Sequence, residues 1–246
     1  MERNGVIKLI PRSAVARQQH APSSHASFFK VKRDAERARL TRFKATLGQH
    51  VVRYLKATSE HGLLFKRRSG TRKDQPLDLV CYSDASFGTD QLTGRSTTGF
   101  TCYINGCLVS WSSRLQPTVA LSTAEAEYMA VSAAAQDVVF LRQLLMDLGE
   151  PEDGATKMLT DNQAAIAIGN DHVTKPRTKH IRVRHHFVRE LIADGTIVLQ
   201  YCPGTQMVAD ALTKALDKQT FEQHLPRLVG TSTAETEQRK AVEGEC

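Results

Sequence analysis

Three consecutive strand patterns in residues 77–113 constrain the fold more than any other feature of the sequence. The first reads LDLVCYSDASF, the second alternates and ends in Asn-Gly (STTGFTCYING), and the third reads CLVSWSS. Asn-Gly favours a two-residue hairpin because both residues tolerate the positive φ that such a turn requires. The pattern therefore predicts a meander of three antiparallel strands.

A long helix and an alternation of strands and helices follow the meander. Ser122 or Thr123 can cap a helix that continues to about Leu148, and Gly149 helps to stop it. Then come a strand (TKMLTD), a short helix (NQAAIAIGN), a basic amphipathic helix (residues 177–195), a strand (TIVLQYC) and a last helix (QMVADALTKAL). This order predicts an α/β fold in which helices cover the faces of a mixed sheet.

The net charge of +7 is unevenly distributed along the chain. Residues 1–76 hold 18 Lys and Arg against 5 Asp and Glu, whereas residues 77–246 hold 15 against 21. A basic arm on a mildly acidic domain suits a polyanionic partner, and a solvated disordered arm explains the charge equally well. Residues 1–30 lack periodicity and are expected to be mostly disordered, whereas residues 31–58 have helical spacing.

The rest of the composition favours an intracellular protein. The chain has no run of 18 apolar residues, so no transmembrane helix is expected, and the N-terminus lacks the apolar core of a signal peptide. Five cysteines occur without a Cys-x-x-Cys pair. Such an odd, scattered set predicts reduced thiols rather than a disulfide framework or a zinc site.

Five acidic residues stand at the ends or centres of the predicted elements: Asp84, Glu125, Glu127, Asp161 and Asp210. Each alone has an ordinary explanation, such as a helix cap or an acid that favours a helix dipole. As a set, carboxylates about 4 Å apart repel by about 1 kcal/mol per pair in water and by several times that near protein. Such a cluster is tolerated chiefly when it binds hard cations such as Mg²⁺, which pair with phosphates.

Five blocks of sequence, in a fixed order, carry a family resemblance. They read YSDASFGTDQLTGRSTTGFTCYING, SWSSRLQPTVALSTAEAEYMAVSAAAQDVVFLRQLL, TDNQAAIA, TKHIRVRHHFVRE and MVADALTKAL. Together they closely resemble the ribonuclease H domain of copia-type LTR-retrotransposon Pol polyproteins, over residues 50–228. The stretch HVVRYLKATSEHGLLF resembles the end of the preceding reverse-transcriptase region, although the chain contains no Tyr-x-Asp-Asp polymerase motif.

The resemblance implies four regions and a fold. Residues 1–48 are a basic, partly disordered N-terminal segment, and residues 49–76 are a remnant of the reverse-transcriptase C-terminal region with a linker. Residues 77–228 are the ribonuclease H-like domain, and residues 229–246 are a flexible tail. The implied fold class is α/β: a ribonuclease H-like mixed five-stranded sheet flanked by helices.

The resemblance also implies a site of four acids that holds two Mg²⁺ ions, with Mn²⁺ as the other option. Carried onto this sequence, the catalytic and metal-binding residues are Asp84, Glu127, Asp161 and Asp210. Glu127 is selected over Glu125 because it precedes the apolar run YMAVSAAA. Helical geometry agrees that only one glutamate can serve, since positions two apart point about 200° apart around the axis.

The implied activity is that of an endonuclease that hydrolyses the RNA strand of RNA/DNA hybrids during retrotransposon reverse transcription, by a two-metal mechanism. The implied partners are an RNA/DNA hybrid and the reverse-transcriptase and integrase regions of the parent polyprotein, with no membrane. We expect such a protein in the cytoplasm, within the virus-like particle of the element, or in the nucleus.

Candidate contacts to nucleic acid fall into two groups. Small polar groups near the acids could sense a 2′-hydroxyl or a phosphate, or could merely shape strand ends and turns. The basic helix could cover phosphates of the DNA strand, or could be a solvated face. The candidates are Ser86, Arg95, Asn162, Gln163, Lys175, Arg177, Lys179, His180 and Arg184.

Three other interpretations stay open. A catalytically silent tether, or a decayed remnant of a retrotransposon, would keep the fold without the activity. An integrase or transposase shares the sheet topology but uses a third acid, usually Glu, on a later helix. A nucleic-acid-binding module driven by the basic arm would bind without cleaving. Trp111 is interpreted as a core aromatic at a strand end rather than as a base stacker.

Overall fold

The structure is a computed structural model that describes three stretches of the chain: residues 44–65, 77–170 and 179–231. The chain divides into two compact units, Met1–His61 and Gly62–Cys246. In the first unit, helix α1 covers residues 44–57, and its Val52, Tyr54 and Leu55 side chains are exposed. The helical spacing predicted there is confirmed over these residues, whereas the segment expected to be disordered lies outside the described residues.

The second unit contains most of the described elements. In chain order, from the boundary between the units, they are β1 (His61–Gly62), β2 (Leu79–Ser86), β3 (Thr97–Ile104), β4 (Cys107–Leu115), α2 (Thr123–Asp147), β5 (Thr156–Thr160), α3 (Gln163–Asn170), α4 (Lys179–Ala193), β6 (Ile197–Tyr201), a 3₁₀ turn (Gly204–Gln206), α5 (Asp210–Thr213), α6 (Lys218–Leu228) and β7 (Gly230–Thr231).

Five strands form one mixed sheet in the order β4-β3-β2-β5-β6. The meander β2-β3-β4 is antiparallel, and β2-β5 and β5-β6 are parallel. The predicted mixed five-stranded sheet flanked by helices is therefore confirmed, with β2 at its centre. Asn105 and Gly106 join β3 to β4 with φ values of 51° and 76°, as expected for the Asn-Gly hairpin.

The main core lies between the sheet and α2. Small side chains on α2, such as Ala134 and Ala135, allow the helix to pack closely on strand residues such as Phe100 and Met158. By length and composition alone α2 could cross a membrane, since one 18-residue window has a mean hydropathy of 1.2. Half of this window is buried inside the unit, as in the core helix of a globular domain.

The C-terminal end of the domain differs from the sequence-based prediction. The single helix predicted over QMVADALTKAL is instead the short helix α5, after which Lys214 is extended. A second helix, α6, then begins where Asp217 accepts a hydrogen bond from the Thr220 N–H. Helix α6 was not predicted because its polar sequence contains an internal Pro226 and few apolar residues.

Two further predictions are wrong in the described part of the chain. Cys81 and Cys102 face each other across β2 and β3 and form a disulfide, so not all thiols are reduced. Cross-strand register brings them together, and spacing along the chain gave no sign of it. Trp111 is 52% exposed and therefore is not a core aromatic, because its strand β4 lies at the edge of the sheet.

Candidate active site

Asp84 stands in the central strand β2 and is almost completely buried. Its carboxylate accepts a hydrogen bond from the Thr213 hydroxyl at the end of α5. The pKa of Asp84 is raised to about 6, mainly by burial and also by the nearby Asp210 charge, although the Thr213 hydrogen bond acts in the opposite direction. A buried acid with so raised a pKa in a β-strand is a strong candidate for a functional group.

Glu127 projects from the second turn of α2 and is 4% exposed. Its Oε2 accepts a hydrogen bond of 3.1 Å from the backbone N–H of Ala85, the residue after Asp84. Burial, together with the charges of Asp84 and Asp161, raises the pKa of Glu127 to about 9. The carboxyl is thus fixed in place but electrostatically unfavourable when it ionises without a counter-ion.

Asp161 follows β5 directly and completes a cluster of three acids. One carboxylate oxygen from each of Asp84, Glu127 and Asp161 lies within 4.8 Å of the other two. Burial raises the pKa of Asp161, and the Asp84 charge acts in the same direction. Three convergent carboxylates from three separate elements fit a hard divalent cation, which prefers oxygen ligands and relieves their mutual repulsion.

Asp210 opens α5 near Asp84 and forms an ion pair with Lys214. The Lys214 Nζ lies 2.8 Å from Asp210 Oδ1 and 4.0 Å from Asp84 Oδ2. Although partial burial lowers the pKa of Lys214, its contacts with Asp210 and Asp84 outweigh this effect and raise it. Lys214 did not emerge from the sequence as a site residue, and its i, i+4 spacing from Asp210 was the only available signal.

Helix α5 reaches Asp84 because β3 carries a glycine beneath it. Gly99 pairs with Asp84 across the sheet. A Cβ added at Gly99 would lie 2.6 Å from Thr213 Cγ2 and 3.0 Å from the carbonyl oxygen of Ala209. Any side chain at this position would therefore push α5, and Asp210 with it, away from the strand.

Glu125 belongs to a different local structure. Its N–H donates to Ser122 Oγ over 3.2 Å, and its own Oε2 accepts from the Leu121 N–H over 3.1 Å. This reciprocal pairing resembles a capping box at the start of α2. The structure thus brings Glu127 to the acidic cluster and leaves Glu125 at the helix cap.

The polar candidates near the acids differ in their hydrogen bonds and in their exposure to solvent. Asn162 Oδ1 accepts from the Ala165 N–H over 3.0 Å and caps α3, whereas Gln163 is exposed on the first turn of that helix. Arg95 Nε donates to Thr93 Oγ1 over 3.1 Å within its own turn. Ser86 ends β2 and is half-buried. Of these side chains, Gln163 is the most accessible to a ligand.

The basic candidates are only partly described. Arg184 is half-buried on α4. Lys175 and Arg177 lie outside the described residues, and so do the side chains of Lys179 and His180. Their contact with nucleic acid stays a prediction.

The chain has sequence relatives among retrotransposon polyproteins, although no family model matches it. It is 34% identical over 172 residues to the retrovirus-related Pol polyprotein from transposon TNT 1-94 of Nicotiana tabacum, covering 70% of this chain and 12% of that protein. It is 32% identical over 182 residues to the corresponding polyprotein from transposon RE2 of Arabidopsis thaliana, covering 74% of this chain and 12% of that protein. The chain therefore spans about an eighth of the length of these relatives.

Two shorter or weaker similarities complete the comparison. A stretch of 93 residues, 38% of this chain, is 48% identical to the secreted RxLR effector protein 161 of Plasmopara viticola and covers 61% of that protein. The fold is also similar to the crystal structure of LC11-RNase H1 in complex with an RNA/DNA hybrid, with a TM-score of 0.42 and 17% sequence identity. This match covers 55% of this chain and 94% of that chain.

Proposed function

Because this chain is homologous to a segment of copia-type retrotransposon Pol polyproteins, we propose that it is a ribonuclease H that hydrolyses the RNA strand of RNA/DNA hybrids. The observation that carries the proposal is the convergence of Asp84, Glu127 and Asp161 from three separate elements. Hydrolysis of a phosphodiester needs a site that tolerates phosphate charge, and bare carboxylates alone would repel it. The acids therefore act together with divalent cations.

The ligands divide naturally into two overlapping sets. Asp84, Glu127 and Asp161 would hold one Mg²⁺ or Mn²⁺, and Asp84 with Asp210 would hold a second. When bound, such a pair of ions supplies an activated water and stabilises the leaving oxygen of the phosphodiester. The protein positions these carboxylates through the Ala85 N–H and the Thr213 hydroxyl, which fix Glu127 and Asp84 respectively.

The proposed substrate requires discrimination between RNA and DNA strands. Gln163, exposed beside Asp161 at the start of α3, is the side chain we assign to contact the sugar edge of the RNA strand. The basic residues from Lys175 to Arg184 are proposed to contact phosphates of the DNA strand. In the parent polyprotein, the reverse-transcriptase and integrase regions are the proposed neighbours, and the cytoplasm or nucleus is the proposed location.

The experiment compares the full chain with its Asp84→Asn variant on an end-labelled RNA annealed to DNA. The proposal predicts that the wild type cuts the RNA strand only with Mg²⁺ or Mn²⁺, and that duplex DNA stays intact. Asp84→Asn should bind the hybrid but lose cleavage. Hybrid binding by the wild type without cleavage at any metal concentration would instead identify a catalytically silent tether.

A further inference from the structure

Lys214 occupies an unusual place for a cation in a proposed metal site. Its ammonium lies 2.8 Å from Asp210 Oδ1 and 4.0 Å from Asp84 Oδ2. The Lys214 side chain is 43% exposed, whereas those of Asp84 and Asp210 are 2% and 10% exposed. The ammonium therefore contacts two nearly buried carboxylates, while the Lys214 side chain itself reaches solvent.

The surrounding charges explain why the lysine adopts this position. The Asp161 charge, like those of Asp84 and Asp210, stabilises the protonated form of Lys214. Helix α5 ends at Thr213, and Lys214 itself has an extended backbone, with φ −140° and ψ 158°. Its side chain nevertheless returns to Asp210, which lies four residues earlier, because the Asp210 and Asp84 carboxylates attract its positive charge.

A divalent cation and the Lys214 ammonium require the same oxygens. Mg²⁺ coordinates carboxylate oxygens at about 2.0–2.1 Å, well inside the distance at which an ammonium donates a hydrogen bond. Two positive charges that share Asp84 and Asp210 would lie within a few ångströms of each other and repel. Both cannot keep their best contacts at once.

We propose that Lys214 is a built-in counter-ion of the metal-free site, which a divalent cation must displace from Asp84 and Asp210. This inference rests on the proposed function, because it takes these two acids as metal ligands. Lys214 stabilises the folded protein when metal is absent and lowers the affinity of the site for the cation. Its partial exposure leaves room for the displaced ammonium to move toward solvent.

The test measures Mn²⁺ binding and thermal stability of the full chain, with Lys214→Met as the variant. We expect this variant to melt at a lower temperature in EDTA and to bind Mn²⁺ more tightly, by about tenfold for one opposing charge removed. Lys218→Met is the matched control, because Lys218 is exposed and pairs with Glu222 on the surface, over 3.7 Å. It should change neither quantity.

The outcomes separate this inference from the proposed function. Mn²⁺ binding that is lost in Asp84→Asn but unchanged or weaker in Lys214→Met would overturn the role of Lys214 alone. No Mn²⁺ binding by the wild type would overturn both proposals. If Lys214→Met fails to fold in EDTA, Lys214→Gln keeps a hydrogen-bond donor without the charge. It should then fold and bind Mn²⁺ more tightly than the wild type, and equal affinity would contradict the inference.

Discussion

The backbone N–H of Ala85 donates a 3.1 Å hydrogen bond to Glu127 and thereby joins the central strand to helix α2. Ala85 directly follows Asp84 in β2, so this bond holds the Glu127 carboxyl close to Asp84. Strand β2 thus contributes both an acid and the group that orients a second acid. The acidic cluster is therefore a property of how α2 packs on β2, and not of either element alone.

The two glutamates of α2 are expected to respond differently to the same substitution. Glu127→Gln removes a charge from the acidic cluster and should lower hybrid cleavage by about a hundredfold or more, since ligands matter at least as much as the groups that orient them. Glu125→Gln alters only the helix cap and should keep the activity, with a loss of stability of about 1 kcal/mol or less. Cleavage rates and thermal unfolding of both variants test this. The assignment of Glu127 is wrong if Glu125→Gln is the inactive variant.

Gly99→Ala should disturb the site without touching any acid. The added Cβ would lie 2.6 Å from Thr213 Cγ2, which is shorter than real contacts allow, and 3.0 Å from the Ala209 carbonyl oxygen, which is a very tight contact, so α5 must shift. We expect weaker Mn²⁺ binding, slower cleavage and a destabilisation of about 1–3 kcal/mol. Gly154→Ala is the control, because a Cβ there meets no atom within 4 Å. If Gly99→Ala were as active and as stable as Gly154→Ala, α5 would tolerate the displacement and the prediction would be wrong.

The metal-free protein is expected to become less stable as the pH rises. Folding raises the pKa of Asp84 to about 6 and that of Glu127 to about 9, above their ordinary values of 3.8 and 4.5. The two carboxyl groups therefore ionise at a lower pH in the unfolded chain than in the folded protein. Their contribution to the free energy of unfolding is present in full below about pH 4 and is lost as the pH rises through the folded pKa values, up to about 9. Melting temperatures in EDTA across this range test the prediction.

Glu127→Gln is the informative variant for this pH dependence. It removes the group with the higher pKa, so the loss of stability between about pH 6 and 9 should become shallower. An unchanged slope would mean that Glu127 ionises in the folded protein near its ordinary pKa.

The local sequence predicted the framework well but did not predict the tertiary contacts. Alternation, the Asn-Gly turn and the Ser122 cap are local signals, and the strands and α2 formed where they indicated. By contrast, α5 ends at Thr213, whose hydroxyl turns to Asp84, a residue 129 positions earlier. The periodicity of the local sequence cannot encode such a contact. Helix α6 was missed for a different reason, since its sequence is polar and contains Pro226.

The candidate site was likewise predicted in part from the sequence and found in part only in the structure. The acids were identified by a family pattern, and the structure brings Asp84, Glu127 and Asp161 together. Lys214 was overlooked because a lysine at the end of a helix usually interacts with solvent or with the helix dipole. Its role depends on Asp84, which only the fold places beside it. The Cys81–Cys102 disulfide likewise follows from strand register.

The most direct test of the central claim is the initial rate of RNA-strand cleavage by Asp161→Asn, with hybrid and Mg²⁺ in excess. Asp161 directly follows β5, whereas Asp84 belongs to β2, so the contribution of Asp161 depends on the assembled site. Asp153→Asn, an exposed acid ahead of the same strand, is the control. We predict a wild-type rate for Asp153→Asn and a loss of about a hundredfold or more for Asp161→Asn. A wild-type rate for Asp161→Asn would contradict the account.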